Sequence, residues 1–343
     1  MRRICPLFAL ALLVVASSAQ AAIEDAVGVR FFDVTAPSRG EPLEVTAWYP
    51  AAAGGRQVLV GDTRLFRGTA GAQDAPLAEG RYPLLLVSHG SGGSITTLGW
   101  IASHLARAGF IVAGPNHPGT TTGDSTPADT VKVWERPADL SALLTAMMAD
   151  PLWRAHIDGS RIGAMGFSLG GHTVLALAGA RVKREAYARY CEAKADMPDC
   201  VWFAKGDVDL RAVDALEFEK SNRDPRVGAV IAIDPSIVQA LTPKSLSAIA
   251  VPVHLINLGG PGSIWWDAVQ ADVIARTVPR AGYDVVPDAA HLTFLAECQP
   301  DGRTFLEAVG ETDPLCDDAG GRTRAEIHDE LANMIEAALR KLW

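Results

Sequence analysis

The sequence predicts an α/β protein: a mainly parallel, twisted β-sheet with helices on both faces. Three observations carry that expectation. Short apolar runs of buried-strand length alternate with segments of helical apolar spacing, as stacked β-α units require. Of 343 residues 48% are hydrophobic and 21% charged, enough to build a sizeable core. No internal repeat or low-complexity linker divides the chain, so a single large domain is the expected count.

The elements follow in order. "VGVRFFDVTA" and "LEVTAWYP" are β-rich and joined by "PSRGEP", which reads as a hairpin. A Gly/Ala-rich stretch to about residue 80 reads as a loop. "YPLLLVSHG" and "FIVAGPNHPG" are buried-type strands, with "TTLGWIASHLARAG" as the helix between them. "RPADLSALLTAMMADP" has helical spacing and stops at Pro151. "RIGAMGFS" is a strand and "LGGHTVLALAGAR" its helix. "RVGAVIAID", "VPVHLINLG" and "YDVVP" supply three further strands, and an amphipathic helix closes the chain. Residues 181–226 are too long for a simple connection and carry ten basic and ten acidic residues. They read as a disulfide-pinned, cap-like insertion over the reactive edge, or as a surface excursion.

Charge and cysteine usage narrow the function classes. The net charge of −9 and pI near 5.4 argue against nucleic-acid binding. "MRRICPLFALALLVVASSAQAA" has two arginines, an apolar run and an A-x-A site ending at Ala21. That is a secretory signal peptide over residues 1–21, too short for a stable membrane span, so an exported, periplasmic or secreted domain over 22–343 is expected. Without Cys5 four cysteines remain. Three pairings are possible, and sequence proximity favours Cys191–Cys200 with Cys298–Cys316.

The chemistry centres on "RIGAMGFSLGGHTV". Gly166, Ser168 and Gly170 fit G-x-S-x-G, a sharp strand-to-helix turn whose glycines remove collisions and leave the serine hydroxyl above the sheet. Alone, the pentapeptide is equally a Gly-rich turn with an incidental serine. A serine hydroxyl needs a base to take its proton, and the base needs an acid to hold its tautomer. In this architecture the chain order is serine, acid, histidine. His291, in a loop just past a short strand, is the chosen base. His172 reads as a packing or surface residue, His254 as a hydrogen-bonded core histidine, and His328 as lying on the exposed face of the last helix. Asp234, at the end of "RVGAVIAID", is the first choice of acid. Asp267 in "NLGGPGSIWWDAV" is the second and Asp288 the third. The oxyanion of acyl transfer needs fixed donors. The backbone N–H of Leu169 and that of Ser91, in the loop His89-Gly90-Ser91-Gly92-Gly93, are the candidates. His89, His117 and Asp124 lack the spacing of a metal-ligand set, so no metal and no organic cofactor is expected; His117 is expected to shape the cleft rim. Trp100, Phe167, Trp202, Trp265 and Trp266 could line an apolar cleft and are each assigned to packing.

These residues resemble the α/β-hydrolase superfamily, and within it the exported dienelactone hydrolase and platelet-activating-factor acetylhydrolase-like branch. The likeness runs from about residue 27 to the C-terminus and includes "PLLLVSHGSGG", "ERPADLSALL", "AIDPSI" and "AAHLTFLAEC". It implies a serine hydrolase with Ser168, Asp234 and His291 as triad. The dienelactone hydrolases themselves use a cysteine nucleophile, so the serine here argues against dienelactone as substrate. The expectation is a hydrolase of short-chain or apolar carboxylic esters, small-molecule or polymeric. An amide or peptide hydrolase with the same triad and a non-catalytic binding protein are the alternatives.

Overall fold

The computed structural model describes residues 27–261, 263 and 265–343. The expected signal peptide lies outside the described residues.

Ten strands form one sheet: β1 (Val27–Val34), β2 (Leu43–Pro50), β3 (Arg56–Val60), β4 (Thr69–Gln73), β5 (Tyr82–Ser88), β6 (Ile111–Pro115), β7 (Ile157–Phe167), β8 (Ala229–Ile233), β9 (Val253–Leu258) and β10 (Ala281–Val286). Their order is β10-β9-β8-β7-β5-β6-β2-β1-β4-β3. The six strands from β10 to β6 run parallel to one another. β2 joins them antiparallel, through Val45–Trp48 against Val112–Pro115. β1 and β2 form the expected hairpin, with Val27 opposite Pro50.

Apolar alternation assigns the two faces. Leu84 and Leu86 of β5 join the cluster formed with Leu140, Leu143 and Met147 of the helix Glu135–Ala149. Leu85 and Val87 point the other way, into a cluster with Ile101 and Leu105 of the helix Gly99–Arg107 and Ile327, Leu331 and Ile335 of the closing helix Arg324–Leu342. Each strand residue thus buries its side chain on one face or the other, and both faces need helices.

One reading of the sequence changes. The stretch to residue 80 is not a loop but carries the edge hairpin β3–β4. Its strand character comes from pairing, with Ala72 opposite Gly28 of β1. Gly71 fits because a Cβ there would meet Val29 Cγ2 at 2.5 Å. Pairing overrides the low strand propensity of Ala and Gly. The helix Glu135–Ala149 stops before Pro151 as expected, and Pro151 opens a further short helix, Pro151–His156, capped by Asp150, which accepts from the amides of Leu152 and Trp153.

Residues 181–226 hold the helices Arg184–Ala193, Pro198–Lys205 and Ala215–Phe218, the first two joined by the Cys191–Cys200 disulfide. Their apolar side chains Tyr187, Phe203, Leu210 and Phe218 pack in one cluster with Leu169 and Ile237. The second disulfide, Cys298–Cys316, closes the segment that follows β10.

Candidate active site

β5 is followed in sequence by β6 on one side of it, and β7 then pairs on its other side. At such a switch point the loops leaving adjacent strands diverge and open a crevice at their carboxyl ends. The loop His89–Gly93 leaves β5 there, and Ser168 leaves β7.

Ser168 has φ 56° and ψ −119°, a left-handed conformation that a serine adopts only when its surroundings enforce it. The surroundings are too tight for side chains at the flanking glycines. A Cβ on Gly166 would lie 2.0 Å from Gly170 O, and one on Gly170 would lie 1.9 Å from Ser88 O. The glycines therefore let β7 and the helix Leu169–Ala178 approach each other and β5. The serine lies at the point of the turn, partly open to solvent, with its amide bound to Ile233 O at 2.9 Å.

His291 Nε2 lies 3.2 Å from Ser168 Oγ, and His291 Nδ1 lies 2.8 Å from Asp234 Oδ2. With Nδ1–H donating to the carboxylate, Nε2 is left as acceptor for the serine hydroxyl. The imidazole is held between Phe167 and Trp265, whose ring centroids lie 4.7 and 4.6 Å away. Asp234 is fully buried and follows β8 with φ 42°. Its other oxygen, Oδ1, accepts from Asn257 Nδ2 at 2.7 Å and from the amide of Leu258 at 2.9 Å. Three donors thus stabilise the charged carboxylate in the absence of solvent. Asn257 is fixed in turn, donating to Val269 O and accepting from the amide of Ala271.

The other candidate acids are engaged elsewhere. Asp267 forms an exposed ion pair with Lys194 at 2.9 Å, and Asp288 pairs with Arg322 at 2.6 Å. Of the remaining histidines, His254 bonds Asp284 and is only partly buried. His172 is buried one turn along the serine's helix, and burial, then Arg136, lowers its pKa to about 4. Two expectations are corrected. His328 is not on an exposed face: it is buried, stacked on Trp100 at 3.8 Å, and bonded to Thr293 O at 2.8 Å. The closing helix packs its Trp100-facing side against the sheet, which the charge pattern alone did not reveal. His117 is not at a rim: it is fully buried and bonded to Asp139 and Ser88. Asp124 caps its own loop through the amides of Gly119 and Thr121.

The amide of Leu169 opens its helix and has no intrahelical acceptor. A Cβ on Gly90 would lie 3.3 Å from Ser168 Cβ, so the loop carrying Ser91 passes directly beside Ser168. One neighbour carried no sequence signal. Ser236 Oγ lies 3.1 Å from Ser168 Oγ, and its amide donates to Ser168 O at 3.0 Å. Asp234 and Ile237, both at positive φ, bracket the turn that aims it.

A strand-turn-helix serine, a histidine and a buried aspartate at the switch point of a mostly parallel sheet define the α/β-hydrolase fold. Within that fold the chain is similar to the platelet-activating factor acetylhydrolases: the family described as isoform II matches residues 57–132, a stretch that includes β5 and the His89–Gly93 loop. Among solved structures, ferulic acid esterase from Streptomyces cinnamoneus is 19% identical, with 94% of this chain and 91% of that chain covered and a TM-score of 0.58. Dienelactone hydrolase from Anabaena variabilis is 15% identical, with 82% and 94% covered and a TM-score of 0.44. A search of the curated proteins finds no match.

Proposed function

We propose that this chain is a serine hydrolase of carboxylic esters, with Ser168 as nucleophile, His291 as general base and acid, and Asp234 as the carboxylate that orients the imidazole. The observation that carries the reading is the continuous hydrogen-bonded string from Ser168 Oγ through His291 to Asp234, with spacings of 3.2 and 2.8 Å. Attack by Oγ on the ester carbonyl passes the serine proton to His291 Nε2. The amides of Leu169 and Ser91 receive the oxyanion, helped by the dipole of the helix Leu169–Ala178. His291 then protonates the departing alkoxide, leaving the acyl group on Ser168. A water molecule, deprotonated by the same imidazole, attacks the acyl-enzyme; the acyl–Oγ bond breaks, His291 returns the proton to Ser168 Oγ, and the acid is released. Asp234 stays ionised throughout and balances the imidazolium.

The domain is read as one hydrolase unit from residue 22, with residues 181–226 as an insertion over the crevice. The packing of its apolar cluster on Leu169 supports that placement. Two disulfides suit an exported protein, periplasmic or secreted, and among the described residues no helix is long and apolar enough to cross a membrane. Small esters are the expected substrates, with acetyl esters and feruloyl esters the first to try. The test is turnover of an ester series by wild type and by Ser168→Ala. Wild-type activity that the variant lacks is expected, together with active-site labelling by a fluorophosphonate in wild type only. Equal labelling of both proteins would remove Ser168 from the mechanism, and faster turnover of matched anilides than esters would reassign the chain to amide hydrolysis.

A further inference from the structure

The segment "ERPADLSALL" places a guanidinium where nothing in the mechanism above uses it. Arg136, in the first turn of the helix Glu135–Ala149, is 1% exposed. Arginine is rarely buried so fully unless each donor is used. Here Nε donates to Thr173 Oγ1 at 3.2 Å, Nη1 to Thr120 Oγ1 at 2.6 Å, and Nη2 to Ser88 Oγ at 3.1 Å and to the carbonyl of His89. These acceptors lie on the parts that surround Ser168. Ser88 and His89 end β5 and start the loop that carries Ser91. Thr120 accepts through its carbonyl from the amide of Gly92 at 2.9 Å. Thr173 sits on the serine's helix and donates to Leu169 O at 2.9 Å.

The peptide units before Ser91 are thereby fixed one after the other. The His89 carbonyl is held by Arg136. The next carbonyl, Gly90 O, accepts from His89 Nδ1 at 2.7 Å and from the amide of Gly93 at 3.2 Å. Because a trans peptide is planar, anchoring Gly90 O also fixes the opposite direction of the Ser91 N–H. His89 keeps the required tautomer, since its Nε2 accepts from the amide of His117 at 3.2 Å. Burial, reinforced by Arg136, holds its pKa well below the ordinary value, so it remains neutral. A second string braces the guanidinium from below. Ser88 Oγ bonds His117 Nε2 at 3.0 Å, His117 Nδ1 bonds Asp139 Oδ2 at 2.8 Å, and Arg39 grips Asp139 through Nε and Nη2 at 2.9 and 2.7 Å.

We propose that Arg136 is a positioning residue for the ester hydrolysis at Ser168, locking the peptide units of the β5 loop so that the Ser91 amide is aimed at the oxyanion before substrate arrives. The inference rests on the hydrolase reading above and on Ser91 as a donor. Its buried cation also adds positive potential beneath the site where negative charge develops.

The experiment compares wild type, Arg136→Lys and Thr120→Val on an ester and on its thionoester, whose C=S accepts hydrogen bonds poorly. Lysine keeps the charge but cannot reach four acceptors at once. For Arg136→Lys, kcat on the oxo-ester should fall by about 10- to 100-fold, less than the ~10²–10³ that follows removal of an oxyanion donor outright. KM should change by less than about twofold, as for an interaction made only in the transition state. The oxo-to-thiono rate ratio should drop in parallel, and Thr120→Val, which removes one anchor of the guanidinium, should shift the ratio in the same direction by a smaller factor. If Arg136→Lys does not fold, the Thr120→Val ratio decides alone. An unchanged kcat, or a lower kcat with the wild-type ratio retained, would overturn the proposal. Hydrolysis by Ser168→Ala at the wild-type rate would instead overturn the hydrolase reading, and the inference with it.

Discussion

At the scale of single residues, the proposed mechanism assigns different weight to the carboxylates of Asp234 and Asp267. If the proposed triad is right, Asp234→Asn removes the charge that would balance the imidazolium and disturbs the tautomer, so kcat should fall by about 10⁴-fold. Asp267→Asn should leave kcat within about twofold, because an exposed ion pair such as that with Lys194 contributes about 0–1 kcal/mol. Steady-state kinetics on a p-nitrophenyl ester checks both, and the opposite ranking would hand the acid's role to Asp267. Ser236→Ala deletes one neutral hydrogen bond to Ser168 Oγ. Burst kinetics should show acylation slower by about 2- to 10-fold, the equivalent of 0.5–1.5 kcal/mol, with Ser236→Thr close to wild type. Equal burst rates in wild type and Ser236→Ala would show that the contact does not position the nucleophile. The position of Ser168 at a strand-to-helix turn could be read from the chain because the turn demands glycines two residues either side, and that of Asp234 at a strand's end because an apolar run stops there. Ser236 and Asn257 could not. Their placement depends on how two loops fold against each other, and no spacing in "DPSI" or "LINLG" encodes that.

Among the elements, the segment carrying His291 is tied down by side chains from the closing helix and by a disulfide. It begins with a short 3₁₀ turn, His291–Phe294, after which Cys298 is tied to Cys316 across a sequence separation of 18. Arg324 of the closing helix bonds Asp318 and the carbonyls of Ala296 and Leu315, and Asp318 accepts from Thr293 Oγ1. Closing a loop of this length stabilises the fold by about 3 kcal/mol in the chain-entropy estimate. The double variant Cys298→Ala/Cys316→Ala should therefore melt several degrees lower and lose more activity than stability alone explains, as the histidine segment loosens. Thermal melts beside kcat measured well below the melting point test this; unchanged kcat would show that the helix contacts suffice. The parallel strands β5 to β9 were legible as short runs of apolar residues bounded by polar or turn residues. The β3–β4 hairpin was not, because Thr69–Gln73 is short and built largely of Ala and Gly. Its strand form is imposed by neighbours on both sides rather than by its own residues.

The whole molecule carries a set of histidines that must stay neutral to remain buried. Burial lowers the pKa of His172 and His328 to about 4, and holds His89 and His117 well below their ordinary value. Between about pH 6.5 and 4 the unfolded chain binds protons at these imidazoles that the folded chain does not. Stability contributed by His172 and His328 is therefore complete above pH 6.5 and declines as pH falls, by about 1.4 kcal/mol per pH unit for each. Urea midpoints at pH 7 and pH 5 should differ accordingly, and equal midpoints would refute the assignment. The sheet's parallel character could be read from the alternation of strands and helices, but its strand order could not. Which side of β5 receives β7 is decided by crossover packing, and that choice makes the crevice. A second serine-histidine-aspartate set lies buried where β5, the loop after β6 and the helix Glu135–Ala149 meet. Ser88, His117 and Asp139 repeat the serine-histidine-aspartate spacing, yet Ser88 is sealed from solvent and its oxygen is already claimed by Arg136. Solvent access, the positive φ at Ser168 and the guanidinium on Ser88 are what distinguish the two sets, so a serine-directed probe should mark residue 168 and leave residue 88 untouched.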